Sequence, residues 1–160
     1  MADVKTARLP KSALAVDMKQ FVLFALCVVV IVLSLSACAS NQPLAVRDIW
    51  ARPGIAGGNS AVYLMIHNPG RADAMLSAKS DVAAQVELHM TRMEQSGAMV
   101  MHHQESVAVP ARGQVKFEPG GLHVMLTNLH RDLKAGDIFS LTLHFQNAGE
   151  MALQVRVQEP

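Results

Sequence analysis

The sequence predicts an all-β fold, an antiparallel β-sandwich or barrel with Greek-key connections. From Val46 onward the chain consists of short runs of alternating or β-branched residues. Gly, Pro, Asn and Asp interrupt these runs at short intervals, and no segment carries a long period of 3.6 residues. About seven to nine strands at this spacing are typical of sandwiches and barrels with Greek-key connections.

The first half of the domain contains five predicted strands separated by turn residues. Pro53-Gly54 ends the first run and Asn68-Pro69-Gly70 ends the second. In the fourth run, apolar Val86, Leu88 and Met90 alternate with polar residues, as expected for a strand that buries one face. These strands are predicted at 46–52, 59–67, 73–79, 84–91 and 98–103.

The second half contains four more predicted strands. Pro110 precedes the first of them, Pro119-Gly120-Gly121 precedes the second, and Asn147-Ala148-Gly149 separates the last two. Residues 129–135 are compatible with a single helical turn. The strands are predicted at 114–118, 121–127, 138–146 and 151–158.

An export segment precedes this domain. The run from Phe21 to Ala37 contains no charged residue and follows Met18-Lys19. Leu35-Ser36-Ala37-Cys38 resembles the lipobox of bacterial lipoproteins, in which small residues precede a cysteine that is lipidated. Residues 1–37 are therefore expected to be a lipoprotein signal peptide, with Met18 as a candidate true start. An uncleaved membrane anchor is the alternative.

Processing at Cys38 defines the rest of the chain. Residues 38–45 become a lipidated N-terminus and tether, and residues 46–160 form the domain. Ala39 rather than Asp follows the cysteine, and resemblance to lipoprotein sorting signals then favours the outer membrane. The expected location is the periplasmic face of the cell envelope, with the lipid anchor holding the protein to the membrane. Cys27 leaves with the signal, so the mature domain has no free thiol and no disulfide.

Composition limits the partners and singles out methionine. The chain is 51% hydrophobic with a formal net charge of +1, and it has no Lys/Arg block, so nucleic acid is not an expected partner. Ten methionines in 160 residues is a high number. Flexible core filling is the ordinary explanation for such an excess. Six of them lie close together in the sequence, at Met75, Met90, Met93, Met99, Met101 and Met125.

The predicted strand 121–127 carries a half-site for a metal. Period-2 alternation places His123 and Met125 on one face of this strand. Thioethers are soft ligands that favour Cu(I) over Zn(II), Mg(II) or Ca(II), and imidazole suits copper in either oxidation state. The second half-site requires another strand, and residues 86–103 supply candidates at His89, Met90, Met93, Met99, Met101, His102 and His103.

The spacing of five of these residues resembles a known signature. His89-Met90, Met101, His123 and Met125 match the pattern H(M)-x10-M-x21-H-x-M of the PCuAC family of periplasmic copper chaperones. The resemblance implies a cupredoxin-like sandwich that binds one Cu(I) per chain through His89, Met101, His123 and Met125, with Met90 as a nearby reserve. Other segments also resemble that family, namely 49–53, 59–63, 67–70, 86–89, 119–121, Leu133, 136–137 and 141–143.

The family resemblance also implies a function. The chain is expected to be a monomeric metallochaperone that delivers copper to the copper-centre subunit of a respiratory cytochrome oxidase, with a Sco-type protein as a further partner. Two alternatives stay open: a periplasmic copper storage or tolerance protein, and a structural β-sandwich lipoprotein with a Met-rich core. An enzyme is not expected, because the chain has no nucleophile elbow, phosphate-binding glycine loop or HExxH motif. A blue-copper site is excluded because it requires a cysteine thiolate.

The remaining residues of this region have less defined roles. Met90 alternates with Val86 and Leu88, which favours a core position for it. Met93 and Met99 flank a turn and are either spare soft donors or packing residues. His102 and His103 point to opposite faces if 98–103 is a strand, so they do not form one chelating pair. One of the two is a candidate to bind Cu(II) near the site.

Overall fold

The computed structural model describes residues 43–95 and 97–159, together with Val22. The predicted signal peptide (Val22 apart) and Cys38 lie outside the described residues. Ser40–Pro160 form one compact unit. Within the part of the chain that is described, no helix has the length and apolar character needed to cross a membrane.

The domain consists of β-strands, and nine of them coincide with predicted strands to within two residues at each end. The strands are β1 Ala45–Ala51, β2 Asn59–Asn68, β3 Asp73–Lys79, β4 Ala83–Met93, β5 Met99–His103, β6 Val107–Val109, β7 Gly113–Phe117, β8 Leu122–Leu129, β9 Ile138–Phe145 and β10 Gly149–Val157. The additional strand, β6, has only three residues, which is too short to give a periodic signal in the sequence.

The prediction of a helical turn within 129–135 is wrong. Leu129 is the last residue of β8, and Leu133 forms an isolated antiparallel bridge with Gly54. The Gly54 N–H donates to the Leu133 carbonyl at 3.0 Å, and the Leu133 N–H donates back to Gly54 at 2.8 Å. The backbone here therefore pairs with a distant segment instead of with itself.

All ten strands belong to one hydrogen-bonded sheet in the order β5-β4-β8-β7-β2-β1-β10-β9-β3-β6. Neighbouring strands are antiparallel except for two parallel pairs, β1 with β10 and β7 with β8. Several consecutive strands, such as β2 and β3 or β8 and β9, are not neighbours, so their connections cross over as in Greek-key folds. The predicted all-β class is confirmed.

A single core is built from both halves of the sheet order. Alternate residues of β2, Val62, Leu64 and Ile66, are buried, and so are Leu141 and Leu143 of β9. These side chains belong to one hydrophobic cluster. The cluster also includes Leu88 of β4 and Val124 and Leu126 of β8. Because β4 and β8 bury one face in this way, their opposite faces are available for a site.

Candidate metal centre

The candidate metal centre lies on three neighbouring strands, β8, β4 and β5. The register pairs His89 with His123 on one side and with His103 on the other. Residues directly opposite one another in neighbouring strands share a face of the sheet. Three imidazoles therefore form a row across β8, β4 and β5, and β5 is the edge strand.

The two predicted methionine ligands lie on the same face as this row. Met125 is opposite Glu87, and Met101 is opposite Thr91. Since Glu87 and Thr91 are two residues before and after His89, the two methionines flank His89 diagonally, on opposite sides. The register thus places His123 and Met125 on β8 beside His89, and it places Met101 on the other side of His89, on the edge strand.

His89 has one nitrogen engaged and one without a partner. Its Nε2 lies 3.1 Å from the Glu87 Oε2, and because a carboxylate only accepts, Nε2 carries the proton. Its Nδ1 is the one buried side-chain nitrogen or oxygen of the described residues that has no hydrogen-bond partner. A buried, unpaired lone pair is costly, and a metal ion is one group that satisfies it. The residue therefore fits a metal ligand.

His123 is buried and oriented by the backbone. It is 5% exposed, and its Nδ1 donates to the carbonyl oxygen of Gly121 at 3.1 Å. Such a hydrogen bond fixes the tautomer and leaves the Nε2 lone pair available to a metal. Burial lowers the pKa of His123, the nearby His89 and Arg52 lower it further, and the bond to Gly121 opposes this change. The neutral form of the imidazole is thus favoured.

Tyr63 of β2 lies beside His123, and Trp50 of β1 packs against Tyr63. The ring centroids of Tyr63 and His123 are 6.4 Å apart, and those of Trp50 and Tyr63 are 4.8 Å apart. The guanidinium carbon of Arg52 lies 5.7 Å from the centroid of the Tyr63 ring. The sequence alone gives no sign that Tyr63 lies next to a histidine.

Glu87 is the site residue that sequence reasoning missed. It stands two residues before His89 on the same strand face and receives the hydrogen bond from Nε2. Period-2 alternation within the predicted strand 84–91 contains this information, because it places positions 87 and 89 on one face. A lone carboxylate beside a histidine is a common arrangement with no specific signature, so the sequence does not single out Glu87.

The methionines differ in exposure and in face. Met101 is 57% exposed, while Met125 is only partly exposed. Met93 and Met99 are opposite each other at the end of the β4–β5 hairpin, on the same face as His89, and both are exposed. Met90 pairs with Leu122 and His102 on the other face of the sheet. Met90, the expected reserve ligand, therefore does not lie on the sheet face that carries the four proposed ligands.

A family model described as "Putative lipoprotein LpqE-like" matches residues 44–157. The chain belongs to the LpqE-like family. The matched segment begins just before β1 and ends with β10, so it includes every strand of the domain.

Two curated proteins are similar to this LpqE-like chain. "Putative lipoprotein Lxx21020" of Leifsonia xyli subsp. xyli is 29% identical over 146 residues, which cover 82% of this chain and 87% of the relative. "Uncharacterized protein RP573" of Rickettsia prowazekii is 29% identical over 113 residues, which cover 68% of this chain and 62% of the relative.

Solved structures of PCuAC domains have the same fold. The "Copper-bound PCuAC domain from PmoF2" superposes with a TM-score of 0.62 at 22% identity, covering 74% of this chain and 95% of that one. The "Solution structure of CuI-DR1885 from Deinococcus Radiodurans" superposes with a TM-score of 0.57 at 24% identity, covering 78% and 86%. The cupredoxin-like fold implied by the PCuAC resemblance is therefore confirmed.

Proposed function

We propose that this LpqE-like protein is a copper(I)-binding metallochaperone of the bacterial cell envelope. It binds one Cu(I) through His89, Met101, His123 and Met125. The observation that carries this proposal is the pair of facing imidazoles, whose ring centroids are 5.9 Å apart and which each keep a nitrogen lone pair available. Methionines on the same sheet face add thioether donors, and this neutral, soft set favours Cu(I).

The ligands differ in how firmly the fold holds them. His123 is buried and hydrogen-bonded, and Met125 follows it two residues later on the same face. Met101 lies on the edge strand β5, which among the described strands pairs with β4 alone. We infer that β5 shifts to bring Met101 over His89 when copper binds. An exposed ligand on a movable edge is the first that a recipient protein can replace, which suits a carrier.

The proposed envelope location is supported by chemistry and by the names of the relatives. The Leifsonia relative carries the name "Putative lipoprotein", and Cys38 stands in a lipobox-like sequence. In an oxidising compartment paired thiolates form disulfides, whereas a His/Met site does not. We place the protein on the periplasmic face, anchored by lipid at Cys38, in the outer membrane. It acts as a monomer.

The proposed recipient of the copper is the copper-centre subunit of a respiratory cytochrome oxidase, with a Sco-type protein as a further partner. The resemblance to PCuAC chaperones supports this step. Its test is transfer from the Cu(I)-loaded full chain to a purified apo subunit, followed by the absorption of the copper centre. If the donor retains all of its copper, the proposed recipient is wrong, whereas the proposed Cu(I) site is not affected by that result.

The binding site itself is tested by Cu(I) affinity, measured anaerobically in competition with a Cu(I) chelator. We expect one tightly bound ion in the parent and at least tenfold weaker binding in His123→Asn and in the double variant Met101→Leu/Met125→Leu. His102→Asn is the matched control, since this exposed histidine lies on the other sheet face. Unchanged affinity in the double variant contradicts the ligand set.

A further inference from the structure

We propose that Glu87, His89 and His103 form a second copper site, selective for Cu(II), beside the Cu(I) ligands. One potential donor atom from each of these three residues lies within 4.8 Å of the other two. Glu87 and His89 belong to β4, and His103 is the residue of β5 directly opposite His89. His103 lies on the edge-strand side of His89, opposite to His123 in the register.

The spacing is close to that of a formed metal site. Metal bonds to imidazole and carboxylate are about 2.0–2.2 Å long, so two ligands of one ion stand about 3–4 Å apart. The Glu87 Oε2 and His89 Nε2 are 3.1 Å apart and already meet this requirement. The His103 ring meets the His89 ring edge-on at 88°, with centroids 5.8 Å apart. His103 is exposed, so a small rotation of its side chain closes the remaining gap.

The donor chemistry selects the oxidation state. Two imidazole nitrogens and one carboxylate oxygen are harder donors than thioethers, and they suit Cu(II), which binds such ligands more tightly than Zn(II) does. The negative charge of Glu87 favours a divalent ion over a monovalent one. The thioethers of Met101 and Met125 have the opposite preference. His89 therefore stands between a soft donor set and a harder one.

The two sites share His89 but use different atoms of it. With Cu(I), Nε2–H stays hydrogen-bonded to Glu87 and Nδ1 is the ligand. With Cu(II), the imidazole takes its other tautomer: the ring proton passes through solvent from Nε2 to Nδ1, and Nε2 then binds the ion next to the carboxylate. The Cu(II) site requires neither Met101 nor Met125, so it stands or falls separately from the proposed Cu(I) function.

The test uses the full chain and copper(II) sulfate, with glycine as the competing chelator. We expect His103→Asn and Glu87→Gln each to weaken Cu(II) binding at least tenfold. Electron paramagnetic resonance should show two coupled nitrogens in the parent and one in His103→Asn. His102→Asn, which changes the neighbouring exposed histidine on the other sheet face, should stay within twofold of the parent. Cu(I) affinity of His103→Asn should also stay within twofold.

Three results overturn the proposal. The first is equal Cu(II) affinity in His103→Asn and His102→Asn, and the second is a parent spectrum with a single coupled nitrogen. The third is a tenfold loss of Cu(II) affinity in Met101→Leu/Met125→Leu. The last would mean that Cu(II) occupies the thioether set. Tighter binding of Zn(II) than of Cu(II) overturns the choice of ion. A parent that binds Cu(II) through Glu87 and His103 but binds no Cu(I) supports this site and refutes the proposed function.

Discussion

Replacing Met101 with leucine tests whether this residue is a copper ligand or only a packing residue. The side chain is 57% exposed on an edge strand, so the change should alter the free energy of unfolding of the copper-free protein by less than about 0.5 kcal/mol. Leucine has a similar size but no lone pair, and the variant therefore loses one of four proposed ligands. The effect should appear only when Cu(I) is present.

The size of the effect follows from linkage. At free Cu(I) about a thousandfold above Kd, binding stabilises the parent by about 4 kcal/mol. For a domain of about 115 residues the entropy of unfolding is roughly 0.24 kcal/mol/K, so copper should raise Tm by roughly 17 °C. If the variant binds about a hundredfold more weakly, the same free Cu(I) stabilises it by only about 1.4 kcal/mol. The rise in Tm then shrinks to roughly 6 °C.

The assay is anaerobic thermal unfolding of the parent and Met101→Leu, with and without Cu(I). Met93→Leu is the matched control, because Met93 lies on the same face, is 71% exposed and is no proposed ligand. Val124→Ala is the opposite control: Val124 is fully buried on the core face, so its apo Tm should fall while its copper shift persists. A full parental shift in Met101→Leu would refute its role as a ligand.

Four further predictions concern the site and its support. Because the pKa of His123 is lowered in the folded protein, the unfolded chain takes up a proton at this residue at a higher pH. The apo protein should therefore lose stability as pH falls below about 6.5 toward the folded pKa. Urea unfolding across pH 5–8 checks that the free energy of unfolding decreases in this direction. Affinity for Cu(I) should be nearly flat above pH 8, and a steep dependence there would indicate a thiolate at Cys38. Met90→Leu should leave Cu(I) affinity within twofold of the parent, since Met90 faces away from the four ligands. A tenfold loss of Cu(I) affinity, measured by chelator competition, would show that Met90 is a ligand. Gly54→Ala should lower the free energy of unfolding by about 1–3 kcal/mol, because the added Cβ would lie 2.6 Å from Leu129 Cδ1 and 2.9 Å from the Asn59 carbonyl oxygen. An unchanged midpoint in chemical unfolding would show that these neighbouring atoms move aside at no cost in stability.

The positions of the longer strands follow from local patterns. Alternation along a strand and turn residues between strands act over a few neighbouring positions, so the sequence predicts nine strands closely. The same locality predicts that His102 and His103 face opposite sides, and their pairing with Met90 and His89 confirms it. Strand β6 and the bridge between Gly54 and Leu133 depend instead on partners distant in the chain.

For the site, the sequence determines which donors exist and which of them share a strand face. His123 with Met125 is such a pair, and Glu87 with His89 is another. Only the tertiary structure decides that β4 lies between β5 and β8, so that one imidazole faces both His103 and His123. The physical reason is that neighbouring strands are chosen by backbone hydrogen bonds and shared burial between segments far apart in sequence. The position of Tyr63 beside His123 and the unpaired Nδ1 of His89 are consequences of that choice.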